Sequence, residues 1–203
     1  MSPPLTLGIA GWVAAKRHNA PLVLNIQDIH PDAAIATGTI SDTRVIQVLK
    51  RIERLSYEKA DAVTVLSDDL RKKLVSRLDA ESKLRVIPNF VDTEHIYPGD
   101  RNNSYRHELG LTYETIVMYA GNVGFFQPLV LLLEAARHLA NRDDIIFVIN
   151  GNGSRRAYFE QEAEELPNVT FMDYQPRQRL NAVLAAGDNH LVPLRQGMSS
   201  IRV

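Results

Sequence analysis

The chain has 203 residues, of which 45% are hydrophobic, so it can bury a core in one or two domains. Its net charge of -1 argues against nucleic-acid binding, because neutralising a phosphate backbone normally needs a basic excess. The absence of cysteine excludes a disulfide framework, zinc thiolates and a cysteine nucleophile, and it is compatible with a reducing cytoplasm. We expect neither a secretory signal nor a membrane-spanning segment.

The first apolar stretch, residues 5–15, is too short to cross a bilayer. Trp12, followed by Lys16, Arg17 and His18, would suit a helix that lies at a membrane interface. The favoured interpretation is a helix buried in the core.

Strands and helices alternate through the first half of the chain. The apolar pattern predicts strands over 22–27, 62–66 and 84–87, a helix over 44–59, and a second helix that Ser67 caps at its N-terminus. The polar stretch 88–104, which contains prolines and a glycine, is the best linker candidate. The sequence therefore predicts two domains, 1–100 and 101–203.

The second half opens with a strand, a glycine loop, a helix and a second strand with its own glycine loop. The strands are predicted over 115–120 and 145–150, and Pro128 opens the helix. The loops can cradle a phosphate, since glycine lets backbone N–H groups approach an anion. Their spacing does not fit the fingerprint G-x-G-x-x-G, and simple turn formation explains the glycines equally well. Further elements are predicted downstream: a helix over 155–166, a strand over 169–172, a helix over 180–186 and a strand over 190–194.

This alternation predicts an α/β fold with two Rossmann-like, doubly wound parallel sheets. Polar residues follow the predicted strands, at the edge where open α/β sheets bind ligands: Asp28, Ser67, Asn89, the loops at Gly121 and Gly151, Asp173 and Arg195. A cleft between two such edges would suit a two-substrate transferase, with one substrate per domain. It would also suit a two-domain binding protein.

The sequence resembles a known family. Five segments are similar to the donor domain of family 4 glycosyltransferases, which have the two-domain GT-B fold: 117–124, 131–136, 150–153, 166–171 and 191–194. Three upstream segments resemble the acceptor half of the branch that builds bacterial exopolysaccharide, colanic-acid and O-antigen-type glycans: 27–32, 60–67 and 86–92. Their order and spacing together make the match specific.

The resemblance implies transfer of a sugar from a nucleotide-diphosphate donor to a hydroxyl of a glycan or lipid-linked acceptor, usually with retained anomeric configuration. It implies no metal and no cofactor besides the nucleotide sugar, which is a substrate. A cytoplasmic protein with peripheral contact to the inner face of the membrane, and without a nucleic-acid partner, is expected.

The resemblance also implies a set of donor-binding residues: Gly121, Asn122, Gly124 and Gln127 near the diphosphate, Gly151 and Gly153 near the nucleoside, and Asp173 near the base. Asn122 and Gln127 stand where other branches have arginine and lysine. The positive charge must therefore come from elsewhere, such as Arg195 or residues outside this chain.

Asp28 and His30 are the catalytic candidates in the acceptor half. The Asp28 carboxylate could accept a hydrogen bond from a sugar hydroxyl, and capping of the following turn is an equal alternative. For His30, packing within the turn is favoured over a role as catalytic base.

Compared with the family, the chain is expected to be an internal fragment, because the opening strands and the segment that contacts the donor sugar are missing. Both domains would then be incomplete, and the chain alone would be inactive. Two alternatives are a GT-B-fold sugar-nucleotide epimerase, for which no clear pair of acid–base carboxylates is evident, and a non-catalytic nucleotide-sugar binding module.

Overall fold

The computed structural model describes residues 6–32, 35, 40–76, 81–125 and 127–193. The chain divides into two compact units between Phe90 and Val91, within the stretch predicted to be a linker. Each unit has a parallel sheet and its own apolar core. The α/β class and the parallel sheets predicted from the sequence are confirmed.

The first unit has a three-stranded sheet in the order β1, β2, β3. Its elements are α1 (Leu7–Arg17), β1 (Val23–Ile26), α2 (Thr43–Lys59), β2 (Ala62–Val65), α3 (Asp68–Val75), a single turn at Glu81–Lys83, and β3 (Leu84–Val86). In the parallel register, Val23 lies opposite Ala62, and Val63 lies opposite Leu84. The apolar residues of these short strands supply much of the core of the unit: Leu24, Ile26, Val63, Val65 and Leu84 are buried.

Side-chain caps fix where the helices of the first unit begin. The Asp42 carboxylate accepts hydrogen bonds from the N–H groups of Arg44 and Val45 at the start of α2. The Ser67 hydroxyl accepts one from the Leu70 N–H at 3.3 Å, which confirms the predicted cap of α3. Both caps satisfy N–H groups that have no partner within the helix.

Helix α1 differs from the buried helix favoured by the sequence. All of its residues are described, and only Gly8 among them is buried, whereas Leu7 and Val13 are exposed. Gly8 packs so closely on α2 that a Cβ there would lie 2.3 Å from the Ser56 hydroxyl oxygen. Gly8 is therefore the point of close contact between α1 and α2, while Leu7 and Val13 of the same helix are exposed.

The second unit has a four-stranded parallel sheet in the order β6, β5, β4, β7. Its elements are α4 (Ser104–Glu108), β4 (Thr115–Ala120), α5 (Val130–His138), β5 (Ile145–Asn150), α6 (Arg156–Glu162), β6 (Val169–Met172), a single turn at Arg177–Arg179, α7 (Leu180–Ala186) and β7 (Asn189–His190). One apolar cluster lies between the sheet and α5 with α6, and the other between the sheet and α4 with α7. The sheet is therefore covered on both faces, as doubly wound folds require.

Three elements of the second unit differ from expectation. The sequence did not predict α4, and α6 ends at Glu162, short of the predicted 166. Strand β7 begins one residue earlier than predicted and includes only Asn189–His190, while residue 194 lies outside the described residues.

A buried ion pair ties α4 to the strands. Arg106 is fully buried, and its guanidinium donates to the Ala186 carbonyl oxygen at 2.9 Å and to the Asp188 carboxylate at 3.3 Å. Asp188 also accepts a hydrogen bond from the Ile116 N–H at 2.8 Å and pairs with Arg101 at 3.0 Å. The pair lies near the starts of β4 and β7, away from the glycine loops.

No helix in the described part of the chain is long and apolar enough to cross a membrane.

Candidate functional site

The two glycine loops of the second unit meet at the carboxyl edge of its sheet. The Gly121 N–H donates to the Asn150 carbonyl oxygen at 2.9 Å, and the Val123 N–H donates to the Asn152 carbonyl oxygen at 2.9 Å. The ladder of β4 and β5 thus continues into the loops. The predicted placement of both loops at one edge is confirmed, while their role in phosphate binding stays a prediction.

Close backbone contact explains the glycines of the second loop. Gly151 has φ +147°, and a Cβ there would lie 1.8 Å from the Gly121 carbonyl oxygen. Gly153 has φ +157°, and its Cβ would lie 2.3 Å from the Val123 carbonyl oxygen. Because these obstacles are backbone atoms and the φ values disfavour L side chains, only glycine fits.

The first loop is held by Tyr119, a residue that the sequence analysis did not single out. Its hydroxyl donates to the Asn122 carbonyl oxygen at 2.7 Å. Burial raises the pKa of Tyr119, so the hydroxyl stays a protonated donor at neutral pH. Gly121 packs against this hydroxyl, since a Cβ at Gly121 would lie 3.0 Å from it.

A cleft of about 230 Å³ opens beside the loops, lined by Gly124, Phe125, Gln127, Pro128, Val130, Arg155, Tyr158 and Phe159. It contains two of the predicted donor residues, Gly124 and Gln127. Asn122 lies next to it, because a Cβ at Gly124 would come within 2.6 Å of the Asn122 amide nitrogen. Gly121, Gly151 and Gly153 belong to the same edge but do not line the cleft.

Arg156 joins the second glycine loop to the end of β6. Its guanidinium donates to the Gly151 carbonyl oxygen at 2.8 Å, to Glu160 at 2.7 Å and to the Asp173 carboxylate. The hydrogen bond to Glu160 is the main reason that the pKa of Arg156 is raised. Asp173, predicted to lie near the base, is therefore an ion-pair partner of Arg156. Arg195 lies outside the described residues.

Sequence reasoning missed both Arg155 and Arg156. Their position directly after a glycine loop was visible, but a charge at the start of a helix usually indicates a solvated surface. The spacing of Arg155, Tyr158 and Phe159, three and four residues apart, was the available signal that these side chains would share one side.

In the first unit, an amide chain lies at the carboxyl edge. The Asn25 amide donates to the Thr64 hydroxyl at 2.9 Å, the Gln27 amide donates to Asn25, and the Asn89 amide donates to Gln27 at 3.4 Å. Asn89 is one of the edge residues that the sequence placed here.

Asp28 and His30 follow β1 at this edge, on either side of Ile29, which is fully buried. Both side chains are half-buried. Their catalytic roles stay predictions.

Among the described residues, no group of three histidine, aspartate or glutamate side chains is placed to hold a metal ion.

Solved structures identify the class of fold. Anabaena HepE in complex with UDP and glucose matches with a TM-score of 0.71 at 18% identity, over 92% of this chain and 50% of that one. Sucrose-phosphate synthase from Thermosynechococcus elongatus matches with a TM-score of 0.72 at 19% identity, over 94% and 48%. These likenesses define the GT-B glycosyltransferase fold.

Sequence comparison gives the family. A model described as a glycosyl transferase 4-like domain matches residues 1–89. WcaI of Escherichia coli (strain K12), assigned to colanic acid biosynthesis as a glycosyl transferase, is 31% identical over 90% of this chain and 47% of its own length. A D-inositol 3-phosphate glycosyltransferase of Nocardia farcinica is 29% identical over 92% and 44%. The family model and these relatives support a family 4 glycosyltransferase, and the chain spans a little less than half the length of these relatives.

Proposed function

We propose that this protein transfers a sugar from a nucleotide-diphosphate sugar to a hydroxyl of a glycan or lipid-linked acceptor during synthesis of bacterial cell-surface polysaccharide. Transfer retains the anomeric configuration and uses no metal. The observation that carries the proposal is the 31% identity to WcaI over 90% of the chain, because the match runs through both units.

The two units divide the substrates in this proposal. Residues 1–100 bind the acceptor, with Asp28 and His30 at the carboxyl edge of the first sheet. Residues 101–203 bind the donor through the loops at Gly121 and Gly151. Support comes from the shared position of both loops at one sheet edge, where open α/β sheets bind ligands.

The proposed location is the cytoplasmic side of a membrane, where a lipid-linked acceptor is reached. Helix α1 supports this, since it exposes Leu7 and Val13 and has Lys16 and Arg17 in its last turn. Exposed apolar side chains beside basic residues favour binding to an anionic membrane surface. We propose no nucleic-acid partner.

The test uses the purified product of the complete gene that encodes these residues. It is incubated with UDP, GDP and ADP sugars and with lipid-linked glycan acceptors, and the products are identified by mass spectrometry and NMR. An acceptor extended by one sugar with retained configuration supports the proposal. Release of an epimerised sugar would indicate the epimerase, and tight nucleotide-sugar binding without any product would indicate the binding module.

The 203-residue chain alone is expected to bind nucleotide more readily than it transfers sugar. Transfer needs donor and acceptor held together in a reactive orientation, and small misplacements cost orders of magnitude in rate. Turnover by this chain equal to that of the protein from its complete gene would contradict this part of the proposal.

A further inference from the structure

Arg155 lies in an aromatic setting within the cleft. Its guanidinium carbon is 4.0 Å from the centre of the Tyr158 ring, 5.2 Å from that of Phe125 and 5.8 Å from that of Phe159. Each ring attracts the guanidinium because the ring quadrupole attracts a cation. These contacts keep the charge of Arg155 beside the cleft.

The positive charge of Arg155 has no anionic partner among the described residues, whereas its neighbour Arg156 is bound to Glu160 and Asp173. The carboxylates of Glu160 and Asp173 thus already have a cation. Of these two arginines, only Arg155 has a charge that an anion entering the cleft could use.

The ring contacts use the charge of the Arg155 guanidinium and none of its N–H groups as hydrogen-bond donors. Guanidinium N–H groups match phosphate oxygens in pairs. The backbone N–H of Arg155 donates to the Val123 carbonyl oxygen at 3.0 Å, which ties the residue to the first glycine loop. Arg155 is therefore fixed to the loop that is expected to face a diphosphate.

A second polar group in the cleft lacks a partner. The Gln127 Oε1 atom is buried and accepts no hydrogen bond from any described residue. It lies against Gly124, at 3.2 Å from where a Cβ would be. Because an unsatisfied buried acceptor is costly, a ligand that carries a hydroxyl beside its anionic group would suit this cleft.

We propose that Arg155 is a phosphate-binding residue of the donor site, supplying the charge that Asn122 and Gln127 cannot. This inference rests on the proposed function. The ligand class is a phosphate or diphosphate attached to a hydroxyl-bearing group, with the phosphate on the guanidinium edge and a hydroxyl toward Gln127.

The test titrates inorganic pyrophosphate into the ¹⁵N-labelled chain and follows the amide signals of Gly124 and Arg155. Arg155→Gln removes the charge, and Arg155→Lys keeps the charge without the planar fork. Arg142→Gln is the matched control, because Arg142 pairs with Asp144 at the amino end of β5, the opposite edge of the sheet. Thermal melts of all variants show whether they fold.

We expect Arg155→Gln to raise the Kd for pyrophosphate about tenfold or more, since charge-assisted hydrogen bonds are lost. The Kd of Arg155→Lys for pyrophosphate should fall between those of the wild type and Arg155→Gln. The Kd of Arg142→Gln should equal that of the wild type. No pyrophosphate binding by the wild type, or equal Kd values for wild type and Arg155→Gln, would overturn the inference.

A second titration separates this inference from the proposed function, using UDP and GDP with uridine and guanosine as phosphate-free controls. Nucleotide binding that is unaffected by Arg155→Gln leaves the proposed function in place and removes Arg155 from it. If pyrophosphate binding depends on Arg155 but neither UDP nor GDP binds more tightly than pyrophosphate, the phosphate contact is retained. The nucleotide-sugar donor is then contradicted.

Discussion

Arg106 is the largest buried charge in the second unit, and its pairing with Asp188 makes a specific stability prediction. Asp188→Asn keeps an acceptor for the Ile116 N–H but removes the negative charge. Breaking a fully buried pair typically costs about 3 to 5 kcal/mol. Because the Asp188 side chain is 18% exposed, we expect the free energy of unfolding to fall by about 2 to 3 kcal/mol.

Urea denaturation followed by circular dichroism measures this change. Asp144→Asn is the control, because both side chains of the Arg142–Asp144 pair are exposed. Breaking that pair should change the free energy of unfolding little. Equal stability of the Asp188 and Asp144 variants would show that the buried pair adds nothing beyond the surrounding packing.

The glycines of the two loops should respond differently to substitution. Gly151→Ala places a Cβ against a backbone oxygen at a positive φ, so we expect a loss of about 2 kcal/mol or more in folding stability. Gly124→Val meets the ends of the Asn122 and Gln127 side chains, which can move. It should keep most of the stability and lower the affinity for nucleoside diphosphates.

Thermal melts and calorimetric titration with UDP and GDP separate these two effects. Equal nucleotide affinity in wild type and Gly124→Val would mean that Gly124 is only a turn residue. Normal stability of Gly151→Ala would contradict the backbone contact as the reason for that glycine.

Some residue-scale features were predictable and others were not. Ser67 was identifiable as a cap because its hydroxyl precedes an apolar helical stripe, a local signal. The contact of Arg155 with the Phe125 ring and the hydrogen bonds of Arg156 to Gly151 and Asp173 depend on which loops the sheet brings together. The local sequence does not show how close those loops lie in the folded chain.

At the scale of elements, helix α1 gives a prediction about membranes. Trp12 is the one tryptophan of the chain, and Lys16 and Lys59 lie 5.8 and 5.5 Å from its ring centre. Anionic phosphatidylglycerol vesicles should shift its fluorescence to shorter wavelength, because the ring would enter a less polar interface. The double variant Leu7→Asp with Val13→Asp should reduce both the shift and co-sedimentation at least several-fold.

Tyr113→Asp is the control for added negative charge, since Tyr113 is exposed and lies in the second unit. Zwitterionic vesicles should produce a weaker shift, because their surface has no net negative charge to attract the basic residues of the last turn. Unchanged fluorescence with every vesicle would remove α1 from the proposed membrane contact.

The elements that the sequence predicted well are those with a strong period. Strands β1 to β6 and helix α2 match to within one or two residues, since runs of valine and isoleucine or a helical stripe mark them. Helix α4 was missed because its five residues are too few to show a period. Helix α1 was misplaced in the core because apolar composition alone does not say which neighbours cover a face.

At the scale of the whole molecule, the alternation of strand and helix was enough to predict parallel α/β architecture, because parallel strands need helical crossovers. The family resemblance added the GT-B fold. The candidate cleft could not be predicted in the same way. It forms where the first glycine loop and the start of α5 meet the start of α6, and the sequence gives only the order of those elements.

The separate cores of the two units predict where the chain is first cut by a protease. Phe90 is 94% exposed, and among the described residues Phe90 and Val91 make no backbone hydrogen bond to other backbone groups. The apolar cluster of the first unit ends before this point, and both clusters of the second unit begin after it. An exposed, unpaired aromatic segment between two cores is the kind of site that chymotrypsin reaches without unfolding either core.

Brief chymotrypsin digestion should therefore cut first after Phe90 and release two fragments, identified by mass spectrometry. Phe90→Ala should slow this cut markedly and leave cleavage at other aromatic residues unchanged, because the core contacts are untouched. Pyrophosphate should still shift the Gly124 amide signal in the fragment that begins at Val91, since the cleft is built entirely from residues of the second unit. A first cut inside either sheet, or loss of folded signals in both fragments, would show that the units depend on each other for stability.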